Sequence, residues 1–175
     1  MDEPTLVSLA PRSQISVRAR GGAVARVAAC LSIPALPGAN RFVAAPASDC
    51  FWLGPEEWLV VGSPSSRAET LEALERAVGP EEGAAVDLSA SRVLFELKGP
   101  KAQDVLASCC ALDLHPRIFG PGQCAQTLVA KAPVLVSQVD EAPTYRLFVR
   151  PSLASYVVSW LVDGMEGVRA EAAKA

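Results

Sequence analysis

Asp113, His115 and Arg117 occupy alternate positions in Leu112-Asp113-Leu114-His115-Pro116-Arg117-Ile118-Phe119-Gly120-Pro121-Gly122 and bring together an acid, the chain's single imidazole and a guanidinium. One reading is an active-site loop, with His115 as general base and Asp113 orienting its ring. Side chains two apart on an extended segment point the same way but rarely bond to each other. That favours a second reading, a structured connection or partner-docking loop in which Asp113 and Arg117 tie down backbone. A metal would have to draw on His115, Asp113 and Cys124, because there is no second histidine. Zinc usually takes three or four nitrogen or sulfur ligands, so this set argues against a metal site.

Other chemistries lack their signatures. No G-x-S-x-G elbow presents a serine nucleophile, and neither G-x-G-x-x-G nor G-x-x-x-x-G-K-[ST] occurs. Gly21-Gly22 ahead of a helix could offer N–H groups to an anion, although such turns use glycine mostly for geometry. Of Trp52, Trp58 and Trp160, Trp58 sits just inside a strand, where a core or sheet-face role is the default and a buried partner interface the second choice.

The elements that position these residues follow from periodicity. Ile15 to Arg20 alternates as a half-buried strand, and Gly21-Gly22 ends it. Val24, Val27, Ala28 and Leu31 form a helical stripe. Arg41 to Ala45 and Cys50 to Leu53 read as a strand pair, and Trp58 to Val61 as another strand. Residues 65 to 78 read as a helix with a Ser66/Glu69 capping box and a Leu71, Leu74, Val78 stripe. Ala84 to Leu88 is a short strand. The order then repeats. Val93 to Leu97 is strand-like, and the Ala102, Val105, Leu106, Cys109 stripe is the first stripe shifted by 78. Arg146 to Val149 echoes Trp58 to Val61 at a shift of 88, while Leu71 and Leu74 map onto Val158 and Leu161 at 87. The expected fold is therefore α/β (α+β), with duplicated βαββαβ-like halves. One domain is expected over 1–165, its halves at about 14–89 and 92–163, with a frayed tail at 166–175.

Composition bounds the function. Of 175 residues, 50% are hydrophobic and 20% charged, which excludes wholesale disorder. A net charge of −3 lacks the basic footprint of a nucleic-acid binder. The longest charge-free stretch, Val27 to Asn40, holds Pro34 and Pro37 and is too short for a membrane span. Met1-Asp2-Glu3-Pro4 is acidic where a secretory signal would be basic, so a cytoplasmic location is expected. Five cysteines without a C-x-x-C pair read as small core hydrophobes.

Leu53-Gly54-Pro55-Glu56-Glu57-Trp58-Leu59-Val60 resembles a segment of the gamma subunit of heterotetrameric sarcosine oxidase. The similarity continues at Val86-Asp87-Leu88-Ser89 with Arg92, and at Gly99-Pro100. It is closest at Leu112 to Arg117 followed by Phe119, Pro121, Gly122, Cys124, Ala125, Gln126 and Thr127. It covers roughly residues 5 to 163.

The resemblance implies a non-catalytic subunit with a fold like the folate-binding domain of aminomethyltransferases. The family's enzyme demethylates sarcosine oxidatively to glycine, forming hydrogen peroxide and passing the one-carbon unit to tetrahydrofolate. FAD, FMN, NAD, folate and zinc are then expected on the alpha, beta and delta partner subunits, and none on this chain. Trp58, Asp87, Arg92, Asp113, His115, Arg117 and Gln126 become family-motif or interface candidates, with no catalytic, cofactor or metal residue among them. The aminomethyltransferases draw a catalytic aspartate from a segment whose counterpart here, Gly122 to Leu128, has no acid. An alternative is a stand-alone folate or small-molecule binding module, and a third is an independent enzyme using His115. Without its partners, the subunit is expected to self-associate through exposed apolar surface.

Overall fold

A computed structural model describes residues 3–173. Alternation of apolar and polar residues produces short strands, and the helices between them each bury one stripe. The first half runs β2 (Ser13–Ala19), α1 (Ala23–Cys30), β3 (Phe42–Ala44), β4 (Ser48–Gly54), β5 (Glu57–Gly62), α2 (Arg67–Val78) and β6 (Gly83–Asp87). The second runs β7 (Val93–Lys98), α3 (Ala102–Ala107), β8 (Cys124–Val129), β9 (Ala132–Asp140), β10 (Thr144–Val149) and α4 (Ala154–Ala172). A further strand, β1 (Thr5–Ser8), precedes both.

Each half builds a five-stranded sheet, in the orders β3-β4-β5-β2-β6 and β8-β9-β10-β7-β1. All strand pairings among the described residues are antiparallel, so the fold is α+β. The two orders match position for position. The outer place that β6 takes beside β2 is taken beside β7 by β1, with Thr5 opposite Lys98 and Ser8 opposite Phe95. Residues 11–90 accordingly form one compact unit, and Ser91 onward forms the other together with the segment ending at Ala10.

In the first unit Ile15, Val17, Ala19, Trp58 and Val60 meet Val27, Ala28, Leu74 and Val78 in one core. In the second Phe95, Leu97, Tyr145, Leu147 and Val149 meet Val105, Leu106, Val157 and Leu161. The expected stripes are therefore the buried ones, with Val24 and Cys109 packed at the margins. Gly21 and Gly99 turn each first strand toward its helix with φ of +55° and +114°, a region where a side chain is strained.

Several expectations need correction. Residues Glu57–Gly62, Pro64–Ser66 and the start of α2 correspond to Thr144–Val149, Pro151–Leu153 and the start of α4 at a constant displacement of 87. A strand shift of 88 is off by one and exchanges the faces. It pairs core-facing Trp58 with Arg146, whereas its counterpart is Tyr145. The Ser66/Glu69 capping box does not form. A 3-10 turn, Pro64–Ser66, comes first, and Ser63 caps it by accepting the Ser65 N–H at 3.3 Å.

The tail expected to fray from 166 is helical through Ala172. Met165 and Val168 extend the buried stripe of α4, and Arg169 pairs with Glu3 at 2.9 Å. Cys50, Cys110 and Cys124 are buried and Cys109 is half-buried, but Cys30 is exposed at the end of α1. Burial pushes the Cys109 thiol up to about 11, with Cys110 adding to the effect.

The equivalent aromatics differ in one respect. Trp58 Nε1 donates to the Pro37 carbonyl at 2.9 Å inside the core, whereas the buried Tyr145 hydroxyl finds no hydrogen-bond partner among the described residues. Trp58→Phe should cost about 1–3 kcal/mol, because it strands a buried carbonyl and shrinks the ring. Tyr145→Phe should be neutral or stabilising by up to about 1 kcal/mol, because it removes an unsatisfied group. Urea-denaturation midpoints of the two variants check both expectations.

Candidate functional site

Strand pairing in the second half places residues of distant sequence in ranks across one sheet face. Gln126 lies opposite Leu135, and Leu135 lies opposite Phe148. One rank outward, Leu128 is opposite Pro133. Val149 pairs with both Val134 and Val93, so the next step beyond sets Arg150 beside Pro133 on one side and Arg92 on the other. These two ranks line a cleft of about 320 Å³, on the face away from the helix-packed residues Leu147 and Val149. Leu135 and Phe148 are buried at its floor, while Gln126, Leu128 and Arg150 are exposed at its rim. No carboxylate among the described residues lines it.

A second group lies in the connection between α3 and β8. Asp113 Oδ1 accepts the His115 N–H at 2.9 Å, and His115 Nδ1 accepts the Arg117 N–H at 3.2 Å. The His115 carbonyl takes the N–H groups of Ile118 and Phe119. Gln123 closes the turn, its Oε1 accepting from the Gly120 N–H and its Nε2 donating to the Ile118 carbonyl. Leu114 and Phe119 anchor the segment in the core at 3% exposure each, leaving Asp113, His115, Arg117 and Ile118 outside. Asp113 thus ties down backbone as expected. Among the described residues Arg117 contributes only its N–H, and the imidazole takes the bonding part expected of its side chain. Because Nδ1 accepts a hydrogen bond, the neutral ring carries its proton on Nε2. The carboxylate contacts the His115 backbone, not its ring, so no acid–base dyad is assembled.

The family model described as SoxG, sarcosine oxidase gamma subunit family, matches residues 18–166. The chain belongs to the sarcosine oxidase gamma subunit family. It is 37% identical over 164 residues to the sarcosine oxidase subunit gamma of Corynebacterium sp. (strain U-96), covering 92% of this chain and 78% of that protein. The gamma subunit of Arthrobacter sp. is 37% identical over 163 residues, covering 91% and 79%. Among solved structures, heterotetrameric sarcosine oxidase from Corynebacterium sp. U-96, in complex with pyrrole 2-carboxylate, contains a chain similar at TM-score 0.84 and 35% identity, covering 94% of this chain and 84% of that one. Aminomethyltransferase T of the glycine cleavage system from Bartonella henselae shares the fold at TM-score 0.70 and 16% identity, covering 91% of this chain and 45% of that one.

The family-motif residues thus fall into separate groups. Arg92 and Gln126 share the cleft, and Asp113, His115 and Arg117 share the turn. Trp58 is buried in the first-half core. Asp87 ends β6, where the Ser89 hydroxyl and N–H hold its carboxyl below the usual range and Arg67 lies 3.6 Å away. Among the described residues no three of His, Cys, Asp and Glu gather as metal ligands. No helix of the described residues is long and apolar enough to cross a membrane.

Sequence reasoning missed Arg150, Phe148 and Glu82. Arg150 directly follows a strand and Arg92 directly precedes one, a signal readable only once β10 and β7 are known to be antiparallel neighbours. Glu82 fills the anion position considered at Gly21-Gly22. Its Oε1 accepts the Gly22 N–H at 2.9 Å and its other oxygen pairs with Arg26. Arg26 also donates to the Ala77 and Val78 carbonyls at the end of α2, so one charge pair serves the ends of two helices. The Arg26 hydrogen bond, then that of Gly22, lowers the Glu82 pKa.

Glu82 therefore stabilises the fold above its unfolded value near 4.5, and the contribution is lost as pH falls through the lower folded value. Glu82→Gln should be less stable at neutral pH. Its denaturation midpoint should also fall less than that of the unmodified chain on acidification through that window. Parallel acid profiles for the two proteins would remove the tie.

Proposed function

We propose that this chain is a non-catalytic subunit that holds a heterotetrameric sarcosine oxidase-type flavoenzyme together. The observation that carries the reading is the use made of the family's densest motif. Asp113 and the Nδ1 of His115 are spent on their own turn, which leaves Arg117 and Ile118 on a shaped exterior. A turn that fixes itself with its own polar groups suits a docking edge better than proton transfer, which needs a free base facing substrate.

The relative from strain U-96 belongs to a heterotetrameric enzyme, and similarity across most of both chains supports the same kind of assembly for this one. On that reading the alpha, beta and delta subunits are its partners, and they hold the FAD, FMN, NAD, folate and zinc. The complex demethylates sarcosine to glycine in the cytoplasm, with hydrogen peroxide and 5,10-methylenetetrahydrofolate as products. The acid-free Gly122 to Leu128 segment supports leaving folate-dependent transfer to a partner.

Co-expression with the three partner subunits and purification on a tag on this chain should recover the flavin subunits together with it. A tagged chain that elutes without them sinks the proposal. His115→Ala should lower the yield of assembled complex several-fold, while complex that does form should turn over sarcosine at nearly the unmodified rate. Normal assembly with impaired turnover would instead place His115 in catalysis.

A further inference from the structure

We infer that the cleft between the end of α1 and the start of α2 is a binding site for a primary ammonium group carried on a short apolar stem. This goes beyond the assembly role and does not depend on it. The cleft lies where the helix-covered face of the first sheet changes character. Ile15, Val60 and Cys50 form an apolar rank across β2, β5 and β4 and are sealed in the core. The next rank on the same face is Ser13, Gly62 and Ser48. Gly62 has no room for a side chain there, because a Cβ would lie 3.2 Å from Ser13 Oγ and 3.3 Å from Ser48 Cβ. The rank stays small, and beside it a space of about 270 Å³ opens between walls that include Leu31, Pro46, Ala47 and Ala73. Ser48 is 8% exposed and lines this space, and its hydroxyl finds no hydrogen-bond partner among the described residues.

The polar groups around the space are mainly acceptors. At the end of α1, Ser32 takes a φ of +57°, and the Ala28 and Ala29 carbonyls receive the Ile33 and Ser32 N–H groups. The fourth residue after Cys30 is Pro34, which has no N–H to offer, so the Cys30 carbonyl goes unpaired among the described residues. No basic side chain in the last turn of α1 offsets its negative end. On the other side Ser66 Oγ donates to the Ser63 carbonyl, which leaves its lone pairs for the cleft. Glu69, in the first turn of α2, offsets the positive end of that helix and is the one charged side chain of the lining among the described residues. Arg76, a turn past Ala73, pairs with Glu72 at 3.8 Å. An ammonium has three donors and no acceptor, which complements a carboxylate, hydroxyl lone pairs and a helix C-terminus. An anion would meet Glu69, and an alcohol would leave that charge unmatched.

Such a group has two sources, a free alkylamine or the lysine side chain of a partner, and the probes separate them. n-Butylammonium, α-N-acetyl-lysine amide, butanol and butyrate are each titrated into the isotope-labelled full chain at neutral pH and constant ionic strength. Amide resonances are followed by NMR. n-Butylammonium should shift the signals of Ser48, Glu69 and Thr70 with a dissociation constant on the order of 1 mM. A matching response to the capped lysine assigns the site to a lysine side chain, and its absence assigns the site to a free amine. Butanol and butyrate should leave the signals in place. Glu69 is exposed, so Glu69→Gln should keep the fold, seen as an otherwise unchanged spectrum, and weaken n-butylammonium binding at least about tenfold. Ser48→Ala, which removes a hydroxyl with no partner to lose, should keep the urea midpoint and weaken binding by a smaller factor. No response to n-butylammonium, an equal response to butanol or butyrate, or undiminished binding by Glu69→Gln would each overturn the assignment.

Discussion

Each half must cover one face of its five-stranded antiparallel sheet with only two helices, and the placing of those helices follows from that. Helices of eight and twelve residues, such as α1 and α2, are marginal alone. They persist because Val27, Ala28, Leu74 and Val78 close over Ile15, Val17, Trp58 and Val60. Each such side chain contributes about 1.5–3 kcal/mol when fully removed from water. The helices also depend on neighbours for their ends. No side chain of its own N-cap residue caps α1, and Glu82 supplies the acceptor from beyond α2.

Much of this was legible in the sequence because the informative patterns are short and local. The 3.6-residue stripe of Val27, Ala28 and Leu31 identifies α1, and alternation identifies β2 and β5. The repeat was visible, but only its helices were placed on the right face. The strand error of one residue arose because Trp58-Leu59-Val60-Val61 is apolar throughout, so alternation cannot tell inward from outward there. Both Trp58 and Leu59 are in fact buried. Long-range information was absent from the string. The partner of Arg92 across the sheet, the capping of α1 by Glu82 and the helical end held by Arg169 and Glu3 all join residues far apart in sequence.

The charged groups divide by what they touch. In the Asp113 to Gln123 turn, acid, imidazole and amide are committed to nearby backbone, which gives the exterior a fixed shape. At the end of β7 and β10 the charges accumulate with the same sign. The chain thus carries surfaces of two kinds: one a self-fixed, outward-facing turn, the other a cleft with Arg92 and Arg150 in its lining.

The origin of β1 affects the order in which the protein can be completed. Strands β2 to β6 lie within residues 13–87, so the first sheet can close as soon as that stretch has left the ribosome. Among the described residues Thr5 to Ser8 pair with residues 95–98, so this strand, made before its partner, must wait with its hydrogen-bonding edge open while some 87 residues follow it. Slow translation near the middle of the message would prolong that exposure. A chaperone that shields β1 would protect the second half rather than the first.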